Sequence, residues 1–513
     1  MDIFLHALAE SLSWQSVAAT FFGAIVGLVF GAIPGLTYSM ALAMVLPITF
    51  TMSNTPAIAM LLGTYIGGMT GGAVSAILIG VPGTPSAAAT VLDGEKMARQ
   101  GKASIAIGIA TISGCIGGVL SLMVMLVSVD ALARVAISFG PAEITALVVF
   151  GLSTICGLSG GSLVKGLIGG VIGLMLMNIG QDPIDAVPRF TFGFTTMLQG
   201  VDLLVAMIGL FAVPHVVSVL ATYWRGKELH IQTGDVRTEM PSFRLLISQK
   251  WNFLRSAAIG TIVGAIPGTG GPIAAFLAYD QAKRWSKTPE TFGKGEVAGV
   301  VAPEASNHAV TGGAMIPLIG LGIPGDPATA IILGGLLIHG IQPGPLLFME
   351  KPDVISSIYI LFVLAYAITT LIQLFGVRVF VKALSIPPHL MAIGILVMCV
   401  IGSFAIRNSL FDVGVMCIVG FIAYWLIKAQ IPVTPILLGL VLGPTLERES
   451  RTALIMSEGD MSIFVTSGPA LAFWVLAVVI VAGQFIASMR ERKAARTALA
   501  KPNEPAAIQE TTA

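Results

Sequence analysis

Gly31-Ala32-Ile33-Pro34-Gly35 returns, residue for residue, as Gly264-Ala265-Ile266-Pro267-Gly268. Both copies lie in sequence hydrophobic enough for a membrane, where glycine and proline interrupt helices. A second pair follows. Thr70-Gly71-Gly72-Ala73 leads to Pro82-Gly83-Thr84-Pro85, and Thr311-Gly312-Gly313-Ala314 leads to Pro324-Gly325-Asp326-Pro327. The copies are 233 residues apart at the first motif (264−31) and 241 at the Thr-Gly-Gly-Ala (311−70). The chain therefore reads as two homologous halves with two helix breaks each, the pattern by which secondary transporters build a site near the bilayer midplane.

Composition sets the solvent. Of 513 residues, 55% are hydrophobic and only 11% charged, and mean hydropathy is +0.90; soluble domains carry about a quarter charged residues. Apolar runs are long and continuous, whereas barrel strands alternate over roughly ten residues. The expected fold is an all-α polytopic membrane protein of two inverted-topology repeats with discontinuous or re-entrant helices, and its medium is the lipid bilayer. A net charge of +1 implies no nucleic-acid partner. Cys115, Cys156, Cys399 and Cys417 lack metal-ligand spacing and read as free hydrophobes. The first residues carry Asp2 and Glu10 but no basic region, so no cleavable signal peptide is expected. Gly101-Lys102 is followed by alanine and lacks the upstream glycine of a P-loop, so no ATP hydrolysis is expected.

Apolar runs fall at about 16–31, 36–50, 57–80, 104–128, 142–158, 162–180 and 200–222, then 254–266, 270–283, 297–321, 326–341, 354–376, 388–406, 411–428, 431–443 and 468–489. Several are too short to span ~30 Å of hydrocarbon and read as half-helices. Basic residues orient the chain. The 94–103 loop, the 223–255 segment, the 283–294 loop and the tail after Met489 are basic and read as cytoplasmic; 49–55 and 341–352 are not. Equivalent loops of the two halves thus fall on opposite sides, as repeats inserted upside down require, with the N-terminus outside and the C-terminus inside. The expected organisation is a first transmembrane repeat over 1–222, a cytoplasmic linker over 223–255 whose stretch 242–255 reads as an interfacial helix or, alternatively, as solvated linker, a second repeat over 256–467, an additional helix over 468–489 and a disordered tail over 490–513.

Broken helices survive at membrane depth only where protein or a wet cavity satisfies their backbone. Their free N–H groups attract carboxylates and their free carbonyls hold cations. The breaks therefore supply the candidate substrate-binding residues Gly35, Thr37, Ser39, Gly83, Thr84, Ser86, Gly268, Thr269, Gly270, Gly325, Asp326 and Thr329. Ionisable groups in a membrane interior are costly and usually have a task. Glu304 and Asn307, in the stretch Pro303-Glu304-Ala305-Ser306-Asn307-His308, join Thr70, Gly71, Thr311 and Asp326 as candidates for cation coupling. The alternative for 303–308 is a polar surface loop. No catalytic residue and no cofactor is expected beyond a coupling ion, Na⁺ or H⁺; Na⁺ is the one metal ion expected. Gly23, Gly27 and Gly31 form a small-residue stripe that reads as close helix packing. His308 and His215 read as packing and kink residues, Lys165 as a snorkelling side chain, and Asp280, beside Lys283 and Arg284, as an interfacial residue.

The combination of Gly-Ala-Ile-Pro-Gly, Gly-Val-Pro-Gly-Thr-Pro at 80–85, Ala-Pro-Glu-Ala-Ser-Asn at 302–307, Leu-Gly-Ile-Pro-Gly at 321–325 and His-Gly-Ile-Gln-Pro-Gly-Pro at 339–345 resembles the large membrane subunit of the tripartite tricarboxylate transporters. The resemblance runs from about residue 16 to 489. It implies a multi-pass protein of the bacterial inner membrane that works with a small membrane subunit and a periplasmic solute-binding protein. It also implies import of carboxylates on a cation gradient, commonly Na⁺. Two residues depart from the family pattern: His308 stands where a second asparagine is usual, and Asp326 where a small residue such as serine is. An added acid disfavours a trianion or adds a cation site. Two other readings stand beside this one. A self-sufficient carboxylate transporter or channel would need no binding protein. An intramembrane aspartyl protease is suggested by Tyr279-Asp280 and Gly325-Asp326, but Ile323 occupies the place of its first glycine and the repeat has no role in it.

Overall fold

The computed structural model describes residues 2–34, 36–158, 162–182, 185–224, 238–268, 270–383 and 388–499. The first half runs α1 (Asp2–Ser11), α2 (Trp14–Ala32), α3 (Tyr38–Thr49), α4 (Asn54–Ile79), α5 (Val91–Met97), α6 (Ala103–Ala136), α7 (Pro141–Leu158), α8 (Leu163–Met177) and α9 (Leu203–Trp224). The second runs α10 (Phe243–Ser248), α11 (Lys250–Ala265), α12 (Gly270–Arg284), α13 (Ala298–Leu321), α14 (Pro327–Ile338), α15 (Leu347–Glu350), α16 (Pro352–Ala383), α17 (Pro388–Arg407), α18 (Leu410–Lys428), α19 (Val433–Met456), α20 (Ile463–Thr466) and α21 (Gly468–Leu499). Among the described residues the only sheet is a pairing of Gly180–Gln181 with Pro188–Arg189. Among the described residues, seven helical stretches are long and apolar enough to cross a membrane. The chain is an all-α polytopic membrane protein.

The repeated motifs end helices in the same way twice. α2 stops at Ala32 because Ile33 turns extended (φ −90°, ψ 118°), and α11 stops at Ala265 because Ile266 does the same (φ −89°, ψ 111°). Each precedes a proline, whose ring disfavours the helical region for the residue before it. α4 and α13 end on glycines in the left-handed region, Gly80 at φ 68° and Gly322 at φ 73°, which only glycine adopts without a steric penalty.

Helix pairing is duplicated as well. α2 packs on α4 and α11 on α13; across the halves, α6 packs on α13 and α16 on α4, while α8 lies on α19 and α9 on α18. The glycine stripe is a packing device. A Cβ on Gly23, Gly27 or Gly31 would run into the carbonyls of Met60, Thr64 or Gly68, and one on Gly63, Gly67 or Gly71 into those of Thr20, Ala24 or Leu28. Backbones this close replace hydrophobic burial, which lipid tails do not reward, with van der Waals contact. Gly260 and Gly264 repeat the arrangement against Ser306 and Val310. α21 packs chiefly on α7.

Several segments differ from the sequence reading in extent. The last helix, expected to end at 489, runs as α21 to Leu499, into the tail expected to be disordered. The helix expected across 242–255 is two, because Gln249 (φ −94°, ψ 6°) separates α10 from α11. The 431–443 run continues to Met456 through Glu447 and Arg451. That extension is held by ion pairs of Arg451 with Asp182 (3.0 Å) and Glu447 (3.2 Å), and of Arg189 with Glu447 (2.8 Å) and Asp182. Residues 303–308, where a surface loop was the alternative, lie inside α13 and are all buried. Cys115, Cys399 and Cys417 are free thiols; the side chain of Cys156 lies outside the described residues.

Candidate functional site

In each half the two breaks touch. A Cβ on Gly83 would overlap the carbonyl oxygen of Gly31. One on Gly325 would lie 2.8 Å from the carbonyl oxygen of Gly264 and 2.7 Å from Ala314. The second half adds a bond from the Gly268 amide (φ 84°) to the Gly325 carbonyl at 2.8 Å. In the first half the Gly83 amide faces the Gly72 carbonyl at 3.4 Å. Each second break thus packs its backbone on the end of the helix that forms the first.

The second break of each half also meets the long helix of the other. In the first half, Thr84 and Ser86 are buried with their hydroxyls 3.3 Å apart. A Cβ on Gly271, at the start of α12, would lie 2.7 Å from Ser86 Cβ and 2.8 Å from Asn307 Oδ1, so Ser86 and Asn307 converge there from opposite halves. In the second half, Asp326 caps α14. Its Oδ1 accepts the Thr329 amide at 2.7 Å and the Thr329 hydroxyl at 2.8 Å, while the Asp326 amide donates to Thr329 Oγ1 at 2.9 Å. Its Oδ2 accepts the Tyr65 hydroxyl of α4 at 2.7 Å. Tyr38 lies 5.8 Å from Tyr65, ring to ring, and neighbours both Ser86 and Asp326.

One turn of α13 carries the least satisfied polar groups of this centre. Glu304 Oε1 accepts the Thr90 hydroxyl, but its Oε2, both side-chain polar atoms of Asn307 and Nε2 of His308 have no hydrogen-bond partner. Glu304 Oε2 and His308 Nε2 stand 4.0 Å apart, one turn from each other. His308 fits because Gly114 on α6 leaves room for its ring, and Gly118 does the same for Tyr366. The Tyr366 hydroxyl lies 2.8 Å from Thr311 Oγ1 and donates to the His308 carbonyl at 3.1 Å.

Other candidates lie in packing positions. Thr37 caps α3 by accepting the Met40 amide at 3.3 Å, and Ser39 is buried in its first turn. Thr70 and Thr311 donate to carbonyls of their own helices, Ile66 at 2.8 Å and His308 at 2.7 Å. Gly71 faces α2, and Gly270 (φ 69°) opens α12. Gly35 and Thr269 lie outside the described residues. Asp280 is exposed and paired with Arg284 at 2.8 Å, so it forms no carboxylate pair with the buried Asp326. Lys165 donates to the Ala429 carbonyl at 2.7 Å, and His215 is half-buried behind the in-helix Pro214.

Sequence reading missed Asp93. Fully buried, it accepts the amides of Gly293 (2.9 Å), Gly295 (2.8 Å) and Glu296 (2.8 Å) on Oδ1, and the Tyr279 hydroxyl (2.8 Å) on Oδ2. It therefore ties the first half's second break to the loop before α13. It also missed Tyr65, Thr90 and Tyr366. The available signal was an acid closing the short apolar run after Pro85, with glycines at 293 and 295 far downstream.

Taken together, these features define a multi-pass membrane protein whose buried centre is assembled from interrupted helices of two similar halves. The chain belongs to the tripartite tricarboxylate transporter TctA family, whose pattern matches residues 17–438. Membership makes it a large subunit of the tricarboxylate-transporter kind and points to transport rather than to enzymatic chemistry. An uncharacterized 52.8 kDa protein in the TAR-I ttuC′ 3′ region of Agrobacterium vitis is 34% identical over 484 residues, 94% of this chain and 96% of that protein. An uncharacterized protein in the TAR-II ttuC′ 3′ region of the same organism is 35% identical over 234 residues, 46% of this chain and 97% of that protein. No solved structure matches.

Proposed function

We propose that this chain imports carboxylates across the bacterial inner membrane on a Na⁺ or H⁺ gradient, together with a small membrane subunit and a periplasmic solute-binding protein. The halves are inverted repeats, with the N-terminus periplasmic and the C-terminus cytoplasmic, and they rock about the centre where their breaks cross. The observation that carries this reading is that crossing, where Ser86 of one half and Asn307 of the other converge on Gly271, with the Thr84 hydroxyl 3.3 Å from that of Ser86. A buried polar group left unpaired costs about 1–3 kcal/mol. The four such atoms on Glu304, Asn307 and His308 therefore offer themselves as partners for cargo and ion. The buried polar side chains of the described residues include Asp93, Glu304 and Asp326 but no lysine or arginine. An anion's charge is accordingly met by helix N-termini and a co-bound cation.

The test is uptake of a labelled carboxylate into proteoliposomes holding this chain and its small subunit, supplied with loaded binding protein. Accumulation is expected only under an inward Na⁺ or H⁺ gradient. Uptake that ignores both gradients would defeat the coupling, and equal uptake without the binding protein would favour the self-sufficient transporter.

A further inference from the structure

The two second breaks are equivalent in sequence, Pro82-Gly83-Thr84-Pro85 and Pro324-Gly325-Asp326-Pro327, but they are satisfied differently. At the second-half break a carboxylate is already present. Asp326 sits at the α14 N-terminus, where it accepts from Thr329 and, across the halves, from Tyr65. Tyr65 lies five residues before Thr70. At the first-half break the equivalent residue is Thr84, which brings no charge. The group reaching it from the other half is Asn307, four residues before Thr311, fully buried and with neither side-chain polar atom bonded. Asn307 and Ser86 meet at Gly271, in the first turn of the fifteen-residue α12.

We propose that a ligand carboxylate is received between Ser86 and Asn307 at the start of α12, in the role that the Asp326 carboxylate fills at the opposite break. The inference rests on the carboxylate reading above and assigns its binding group. The Ser86 hydroxyl and the Asn307 amide donate to the ligand, and the first turn of α12 adds the favourable end of its dipole. Tyr38 and Tyr65 link this place to Asp326, since Tyr38 neighbours Ser86 and Tyr65 donates to Asp326. The protein's own carboxylate therefore shares the centre with the ligand's. Like charges repel strongly in a low-dielectric interior, so the ligand carries fewer negative groups than a tricarboxylate.

The experiment measures binding by calorimetry to the protein purified with its small membrane subunit in nanodiscs, with propionate, succinate and citrate as probes at saturating Na⁺ and fixed pH. The parent should bind succinate or propionate more tightly than citrate. Asn307→Ala and Ser86→Ala should each weaken binding roughly tenfold or more, the scale of one hydrogen bond to a charged group. Asn307→Asp has the same shape and should abolish binding, which guards against reading a folding defect as a lost contact. Asp326→Asn keeps a side-chain oxygen for the Thr329 cap and should move the citrate-to-succinate affinity ratio toward citrate by at least tenfold. Asn307 variants that bind as the parent does, or an Asp326→Asn ratio that stays put, would overturn the assignment while leaving carboxylate transport standing. A parent that binds none of the three probes would remove the carboxylate reading and this inference together.

Discussion

Asp93→Ala should be among the most destabilising single substitutions in this protein, lowering its stability by at least about 3 kcal/mol. Three backbone amides and one hydroxyl from the second half converge on this side chain, and each buried donor left without an acceptor costs about 1–3 kcal/mol. The loop is shaped for an anion. Gly293 (φ 82°) and Gly295 (φ 99°) are left-handed, which lets successive amides aim at one oxygen as in a backbone nest. Gly299 leaves the space that the carboxylate fills. Asp93→Asn retains an oxygen for the three amides but places an amide group against Tyr279, so its cost should be smaller. Tyr279→Phe removes one donor and should cost least. Thermal unfolding in detergent gives the order. If Asp93→Ala unfolds at the parent's temperature, the clamp contributes nothing; if Asn is as harmful as Ala, charge outweighs hydrogen bonding.

What the sequence revealed and what it hid follow from the range of each interaction. Helix ends at Ala32, Ala265, Ile79 and Leu321 were legible because prolines and left-handed glycines act within a few residues. The close packing of α2 was legible as a glycine stripe for the same reason, but its partner α4 was not. Asp93, Tyr65 and Thr90 were not, because their partners lie 186 to 261 residues away and nothing local to them names those partners. Asp326 was legible as an acid in a break, but its role as an N-cap depended on Thr329 three residues on and on a tyrosine from the other half. The 303–308 stretch looked polar enough for a loop. It stays helical through Pro303 because α6, α11 and α12 surround α13, and tertiary packing outweighs the lost backbone hydrogen bond.

Gly83→Ala and Gly325→Ala should each reduce carboxylate uptake by tenfold or more without preventing membrane insertion. Neither glycine has the positive φ that would strain an alanine, since neither is among the left-handed glycines; what matters is space. A methyl at 83 would overlap the Gly31 carbonyl and lie 2.6 Å from Ser75 Oγ, and one at 325 would press on Ala314 and the Gly264 carbonyl. Either forces the two breaks of a half apart, and a misplacement of about 1 Å in a preorganised site is costly. Two comparisons separate this cause from others. Gly414→Ala meets nothing within 4 Å and should transport like the parent. Gly80→Ala is strained by its φ of 68°, so it should lose about 1 kcal/mol of stability while the molecules that fold keep more activity than Gly83→Ala. Uptake measured per folded molecule decides the matter. Full activity in Gly83→Ala would mean that the contact between the breaks is incidental, and that the site is positioned by the long helices alone.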